Sequence, residues 1–174
     1  MRKASALFVQ VICAVGRRRY MRFINSVAVL LLGFLLVVPT VSFAVEPPTG
    51  FRDLKWGSSP SAGLNKFSGP TSDGITMYVP ASGKTPSPLF GTPVAEEAYS
   101  FSKGKFYSGS AWFDGQANFE RVKTALVKAY GQPSLANEKM NLWKWKWPGS
   151  QIEVHLSYQE KFSRTTVTFV NNAI

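Results

Sequence analysis

Val94-Ala95-Glu96-Glu97-Ala98-Tyr99-Ser100-Phe101-Ser102-Lys103-Gly104-Lys105-Phe106-Tyr107-Ser108-Gly109-Ser110-Ala111-Trp112-Phe113 is the stretch whose reading decides the fold. Two runs rich in aromatic and small residues flank Lys103-Gly104, and a glycine there supplies the positive φ of a tight hairpin turn. The reading is a β-hairpin with arms Val94–Ser102 and Lys105–Phe113. Alternation along the second arm puts Tyr107, Ala111 and Phe113 on one face, and Phe106, Ser108, Ser110 and Trp112 on the other. Glu96 and Glu97 are adjacent, so they point to opposite faces and read as solvated edge charges. A glycosidase pair would instead need two acids about 5–10 Å apart across a substrate.

Toward the C-terminus, Asp114-Gly115 and Gly131 bracket a long helix. Phe119, Val122, Leu126 and Ala129 or Tyr130 recur at helical spacing, with Glu120, Arg121, Lys123 and Lys128 opposite. Gly131 is a natural left-handed stop, and Pro133 forbids resumption. Leu142–Trp147, Gln151–Tyr158 and Thr165–Val170 then read as strands; Ile152, Val154, Leu156 and Tyr158 form the cleanest period-two stripe in the chain.

Upstream, Phe51–Trp56 reads as a short strand ending at Gly57, and Ile75–Val79 as another. Between them Ser59-Pro60 offers an N-cap followed by proline at the first helical position, which predicts a short helix with Leu64 and Phe67 inward, stopping by Ser68-Gly69-Pro70. Pro80, Pro86, Pro88 and Pro93 mark residues 80–93 as a loop. The expected class is α+β: an antiparallel sheet packed by one long and one short helix. Leu64–Pro70 also echoes Leu126–Pro133, which allows a reading as two tandem helix-plus-strands units.

Residues 1–44 contain six basic side chains and no acidic one, with an unbroken apolar run from Val27 to Val38 and then Pro39 and Ser42-Phe43-Ala44. These are the parts of a secretory signal cleaved after Ala44; a membrane-spanning helix needs about 20 apolar residues. Met21 is a better start than Met1, because it opens a leader of ordinary length. Gly16-Arg17-Arg18-Arg19-Tyr20-Met21-Arg22 offers the competing reading, a resemblance to the twin-arginine export motif; the strongly apolar run favours general secretion. The layout expected is a signal at 1–44, a linker at 45–50 and a single domain at 51–174, with periplasmic or secreted localisation and no stable membrane span after cleavage.

The whole chain carries +10, but beyond residue 44 fourteen basic and ten acidic side chains leave only +4. Mild basicity and export together argue against a nucleic-acid partner. The single cysteine, Cys13, lies in the leader, so the exported domain has neither disulfide nor thiol. Stability rests on the core.

Gly50-Phe51-Arg52-Asp53-Leu54-Lys55-Trp56-Gly57-Ser58, Tyr99–Ser108, Asn118-Phe119-Glu120-Arg121-Val122-Lys123 and Tyr130-Gly131-Gln132-Pro133 together resemble a family of small exported proteobacterial proteins. Its pattern is F-R-G-I/V-x-W-G-T, Y-x-F-x-x-G-K/R-F-Y, N-F-x-x-L-x-x-x-L and Y-G-x-P. Asp53 stands where the family has glycine, and Gly109 where it has a β-branched residue. The resemblance implies an exported domain of the architecture above and supplies no catalytic residue.

Trp143-Lys144-Trp145-Lys146-Trp147 is the most unusual stretch. A strand places its three indoles on one face and its two lysines on the other. The indoles either form core under the long helix or make an aromatic platform that stacks on sugar rings or a partner's apolar side chains. Trp143, Trp145, Trp147, Lys144 and Lys146 are therefore the candidate binding residues. His155 is the only histidine in the chain and shares a strand face with Glu153 and Ser157. One histidine is short of the three or four ligands a zinc site usually takes, so no metal and no cofactor are expected. Motifs of serine hydrolases, zinc proteases, P-loops and thiol redox enzymes are all missing from the sequence. The expected function is a non-enzymatic envelope module that binds a protein or a cell-wall glycan. The alternative is a hydrolase on an unfamiliar template using His155 and Glu153.

Overall fold

The computed structural model describes residues 45–81 and 85–174. The expected leader at 1–44, with its start at Met21, its basic motif and its cleavage position, lies outside the described residues. In chain order the elements are β1 (Gly50–Phe51), β2 (Leu54–Lys55), β3 (Leu64–Ser68), β4 (Ile75–Pro80), β5 (Glu96–Ser102), β6 (Lys105–Asp114), helix α1 (Gln116–Tyr130), β7 (Leu135–Asn137), β8 (Leu142–Lys146), β9 (Ile152–Gln159) and β10 (Arg164–Asn171). Single 3-10 turns at Glu138–Met140 and Glu160–Phe162 join the last strands.

β1 and β2 pair with each other; the other eight strands form one antiparallel sheet in the order β3-β4-β5-β6-β10-β9-β8-β7. It consists of two four-stranded meanders, β3–β6 and β7–β10, that meet at their last strands. That seam is long and regular: Phe113 lies opposite Thr165, Ala111 opposite Val167 and Gly109 opposite Phe169.

One face of the sheet is covered. Helix α1 lays Phe119, Val122 and Leu126 over the second meander, and all three are buried. Phe119 meets Trp143 and Tyr158, while Tyr130 meets Trp147 edge-on and also reaches Phe169. Gly115 and Gly131, both at positive φ, bound this helix where the sequence places its ends. The first meander is covered by the β1–β2 hairpin. There Phe51 packs on Tyr99 and Phe169, and Trp56 stacks on Phe106 at 5.2 Å. Gly109 lies directly under the Phe51 ring, which occupies the space a Cβ would need. The absence of a side chain at that position is thereby explained.

The fold is mostly β, and the expected α+β pairing of a sheet with one long and one short helix is corrected. Leu64–Ser68, expected as the second helix, is edge strand β3, paired with β4 from Leu64 opposite Pro80 to Ser68 opposite Met77. A helix of two turns faces a costly nucleation step, and this one has only Leu64 and Phe67 to bury. Pairing with β4 satisfies its backbone instead. The likeness of Leu64–Pro70 to Leu126–Pro133 thus matches a strand with a helix end, and two tandem helix-plus-strands units are not present: the first meander has no helix among the described residues.

Two further differences have local causes. Arg52 takes a left-handed conformation (φ 55°), which folds the expected strand Phe51–Trp56 into the tight hairpin β1–β2. In the β5–β6 hairpin the Lys103-Gly104 turn is as expected, with both residues at positive φ. A register shift just beyond it then pairs Phe101 with Phe106 but Ser100 with Ser108. This bulge leaves Tyr107 out of the alternation and puts Phe106, fully buried, on the covered face with Ala111 and Phe113.

Candidate functional site

Alternation that buries one face exposes the other, and no element among the described residues covers the second face of the sheet. Across its centre, Glu96, Trp112, Thr166 and Ser157 line up in one row, and Ala98, Ser110, Thr168, His155 and Lys144 in the next. Most of these side chains are half-exposed. The hydroxyls of Ser110 and Thr168 hydrogen-bond across the seam at 3.0 Å.

Two clefts open on this face, and Glu96 and Trp112 belong to both. The first, of about 510 Å³, lies where β4 and β5 part beyond their last pair, Tyr78 opposite Tyr99. Met77, Val79, Ala98 and Phe67 make it mainly apolar, and Phe67 is 70 % exposed. The second, of about 580 Å³, is lined by Glu96, Trp112, Asp114, Gln159, Phe162, Arg164 and Thr166. Its polar groups come from four strands, β5, β6, β9 and β10, and it has one exposed aromatic, Phe162. Both volumes fall in the range of small-molecule sites, about 300–1,000 Å³.

Trp112 and Arg164 sit at the junction. Arg164 Nη2 donates to Glu96 Oε2 at 2.6 Å, and the guanidinium carbon lies 5.7 Å from the Trp112 ring centroid. Arg164 Nε is buried without a hydrogen-bond partner, so Glu96 and the indole fix the position of this guanidinium. Glu96 is an exposed charge, as the sequence suggested. Glu97 is not: it is 6 % exposed and points to the covered side, where Arg52 Nε donates to it at 2.7 Å and the Tyr99 hydroxyl at 2.9 Å. Arg52 reaches on to the backbone oxygens of Ser87 and Pro88, tying the proline-rich loop to the hairpin. Burial, reinforced by the neighbouring Glu97 carboxylate, holds the Tyr99 hydroxyl well above its ordinary pKa.

The tryptophans of β8, and Trp147 just beyond it, face the core. Trp143 and Trp145 are 7 % and 2 % exposed, Trp145 Nε1 donates to the Gly131 carbonyl at 2.8 Å, and Trp147 is half-buried against Tyr130. Lys144 and Lys146 lie on the open face. There they meet Glu153, Lys144 Nζ at 3.1 Å from Oε2 and Lys146 Nζ at 3.3 Å from Oε1. His155 Nε2 lies 2.9 Å from the same Oε2. The structure therefore brings the two lysines and the His155–Glu153 pair into one cluster and leaves the indoles beneath the sheet. The hydrogen bond from His155, followed by those from the lysines, lowers the Glu153 pKa to about 2 against the opposing effect of burial. These contacts favour the ionised carboxylate, the opposite of what a general acid needs. Among the described residues, no group of three or more histidine, cysteine or acidic side chains is placed to hold a metal.

Sequence reading passed over Trp112, Arg164 and Phe162. Trp112 carried a signal, a large aromatic on the polar face of a hairpin arm, but only the three-dimensional fold shows that this face stays bare. No helix among the described residues is long and apolar enough to cross a membrane. No family model, curated protein or solved structure matches the chain.

Proposed function

We propose that the protein is an exported, non-enzymatic binding module of the cell envelope, and that it engages a partner protein or a cell-wall glycan through the uncovered sheet face around Trp112. The observation that carries this reading is the pair of adjoining clefts that share Trp112 and Glu96. Exposed aromatic side chains stand at their outer ends, Phe67 on one side and Phe162 on the other. Apolar groups gathered in one region of an open face mark interaction sites more often than surface residues scattered singly. The signal-like leader and the resemblance to small exported proteins support the address. Lys144 and Lys146 share the open face and extend its polar margin.

The alternative hydrolase would use His155 and Glu153. They are in contact, but Glu153 is already engaged by two lysines, which leaves it little capacity to move protons or orient a base. The test is retention of the exported protein on isolated cell-wall material and on immobilised envelope proteins, wild type beside Trp112→Ala. Loss of retention in the variant, with an unchanged melting temperature, is expected. Equal retention by both proteins, or loss of function in His155→Ala instead, overturns the reading.

A further inference from the structure

We infer that the polar cleft at Trp112 is a saccharide-binding subsite that takes a neutral sugar ring. This rests on the binding-module reading above and names its ligand class. A sugar ring has a C–H face that packs on aromatic surface and a rim of hydroxyls that both donate and accept. The cleft supplies both kinds of surface. Trp112 and Phe162 provide the apolar part. Around them, Glu96 and Asp114 accept, Arg164 donates, and Gln159 and Thr166 do either. Planar carboxylate, carboxamide and guanidinium groups are suited to paired contacts with neighbouring hydroxyls.

Charge narrows the class. Two carboxylates face one guanidinium, and Glu96 already holds that guanidinium at 2.6 Å. An anionic ligand would meet the uncompensated Asp114 and compete with Glu96 for Arg164, so acidic sugars, phosphates and nucleic acids are disfavoured. A peptide anchored by apolar side chains would find its pocket in the neighbouring cleft and not in this one, whose lining is mostly polar. That neighbouring cleft, reached past Trp112 and Glu96, has Met77, Val79 and Ala98 to receive an apolar substituent such as an acetamido methyl group. The preferred ligand is therefore a neutral saccharide carrying N-acetyl groups.

The experiment is titration of the purified exported protein, followed by calorimetry and by the indole N–H resonance of Trp112. The probes are a β-1,4-linked N-acetylglucosamine trimer, the glucose trimer of the same linkage, and a galacturonate trimer. The expected result is a saturable shift of the Trp112 resonance with the first, weaker binding of the second and none of the third. Trp112→Ala and Asp114→Asn should each weaken binding about tenfold or more, a loss of about 1.4 kcal/mol. Trp112→Phe keeps an aromatic surface and should retain part of the affinity, which separates stacking from collapse of the face. No resonance shift at millimolar trimer, equal affinity for the galacturonate trimer, or unchanged affinity in Trp112→Ala would overturn the assignment. Envelope-protein capture that depends on Trp112 while no saccharide binds would remove the saccharide and leave the binding module. Loss of both removes both.

Discussion

The two meanders have the same strand count and the same antiparallel order, yet they are covered by different things. Strands β7–β10 lie under a fifteen-residue helix that brings three fully inward apolar side chains and aromatic contacts at both ends. Strands β3–β6 lie under two paired strands of two residues each, helped by Leu89 and Phe90 of the proline-rich loop. A hairpin that small cannot reach the edge. β4 is half-exposed along its whole length, and β3 is exposed beyond Leu64. Part of the cover is polar as well, since Arg52 and Glu97 occupy space that apolar side chains fill elsewhere. The more thinly covered meander is also the one whose strands separate to form the apolar cleft. Tight packing is thus concentrated in one half of the sheet and the apolar cleft in the other, while the polar cleft straddles the seam between them.

The largest expected effect lies beneath the helix. Leu126→Ala should destabilise by about 3–5 kcal/mol, because Leu126 is fully buried between helix and sheet and large-to-small core changes cost about 2–5 kcal/mol. Val154→Ala removes less volume from the same layer and should cost about 1–3 kcal/mol on the same basis. Denaturant unfolding measures both. Loss of less than half these amounts would mean that the helix-covered half is no better packed than the other.

Next comes the polar tie under the hairpin. Glu97→Gln leaves the Arg52 guanidinium, 17 % exposed, without its counter-charge, and removing one partner of a buried pair costs about 3–5 kcal/mol. Because Arg52 keeps its bonds to the backbone oxygens of Ser87 and Pro88, about 3 kcal/mol is expected. Proteolysis should then cut first near residues 85–93. A variant as stable as wild type would show that apolar contacts alone hold the hairpin down.

Gly109→Val tests the hairpin from the sheet side. The Phe51 ring occupies the position of the missing Cβ, so the ring must move, and overpacking of this kind typically costs about 1–3 kcal/mol. The double variant Gly109→Val with Phe51→Ala should recover part of that loss, since the smaller residue vacates the space. Failure to recover would place the strain in the β5–β6 bulge and not in the Phe51 contact.

What the sequence made legible follows the same division. Helix α1 could be read because glycines end it and its apolar residues recur at one spacing; the β9 stripe and the Lys103-Gly104 turn were equally plain. Each of those signals is local. The first meander depends on signals that are not. Leu64–Ser68 has too few apolar residues to declare a period, so a helix start at Ser59-Pro60 outweighed a strand that exists only because β4 lies beside it. Alternation along β6 misassigned Phe106 and Tyr107 because a bulge is an insertion in register, visible only against the partner strand. Glu97 read as solvated because its counter-charge, Arg52, comes from a distant segment. The site escaped for a related reason: Trp112, Arg164 and Phe162 become neighbours through the seam and the turn beside it, and no local pattern marks a sheet face as bare.

The charged cluster on β8 and β9 should be sensitive to acid. Glu153 has a folded-state pKa of about 2, below its ordinary 4.5, so it contributes stability that is full above about pH 4.5 and is lost as pH falls toward 2. Glu153→Gln removes that contribution and leaves Lys144 and Lys146 facing each other, at a cost of about 1–3 kcal/mol at neutral pH. The gap between wild type and variant should close as the pH is lowered through this window. A gap that stays constant from pH 6 to pH 2 would mean that the cluster is held by packing and not by charge.

The smallest effect belongs to His155. It is the first contributor to the low pKa of Glu153, yet it stands on the open face with its side chain 35 % exposed. The carboxylate it touches keeps both lysines after its removal. His155→Ala should therefore change stability at neutral pH by no more than about 1 kcal/mol, the range of partly exposed ion pairs. Binding through the Trp112 face should be untouched, because His155 lines neither cleft. The Trp112 face and the charged cluster on β8 and β9 make opposite forecasts in this assay. If the face around Trp112 carries function, Trp112→Ala abolishes binding and His155→Ala leaves it equal to wild type from about pH 5.5 to 8, the interval in which an ordinary histidine changes charge. If the charged cluster on β8 and β9 carries function instead, the histidine variant loses it at unchanged melting temperature and any pH dependence of the wild type disappears with it. That outcome would move the site from the clefts around Trp112 to the charged cluster on β8 and β9.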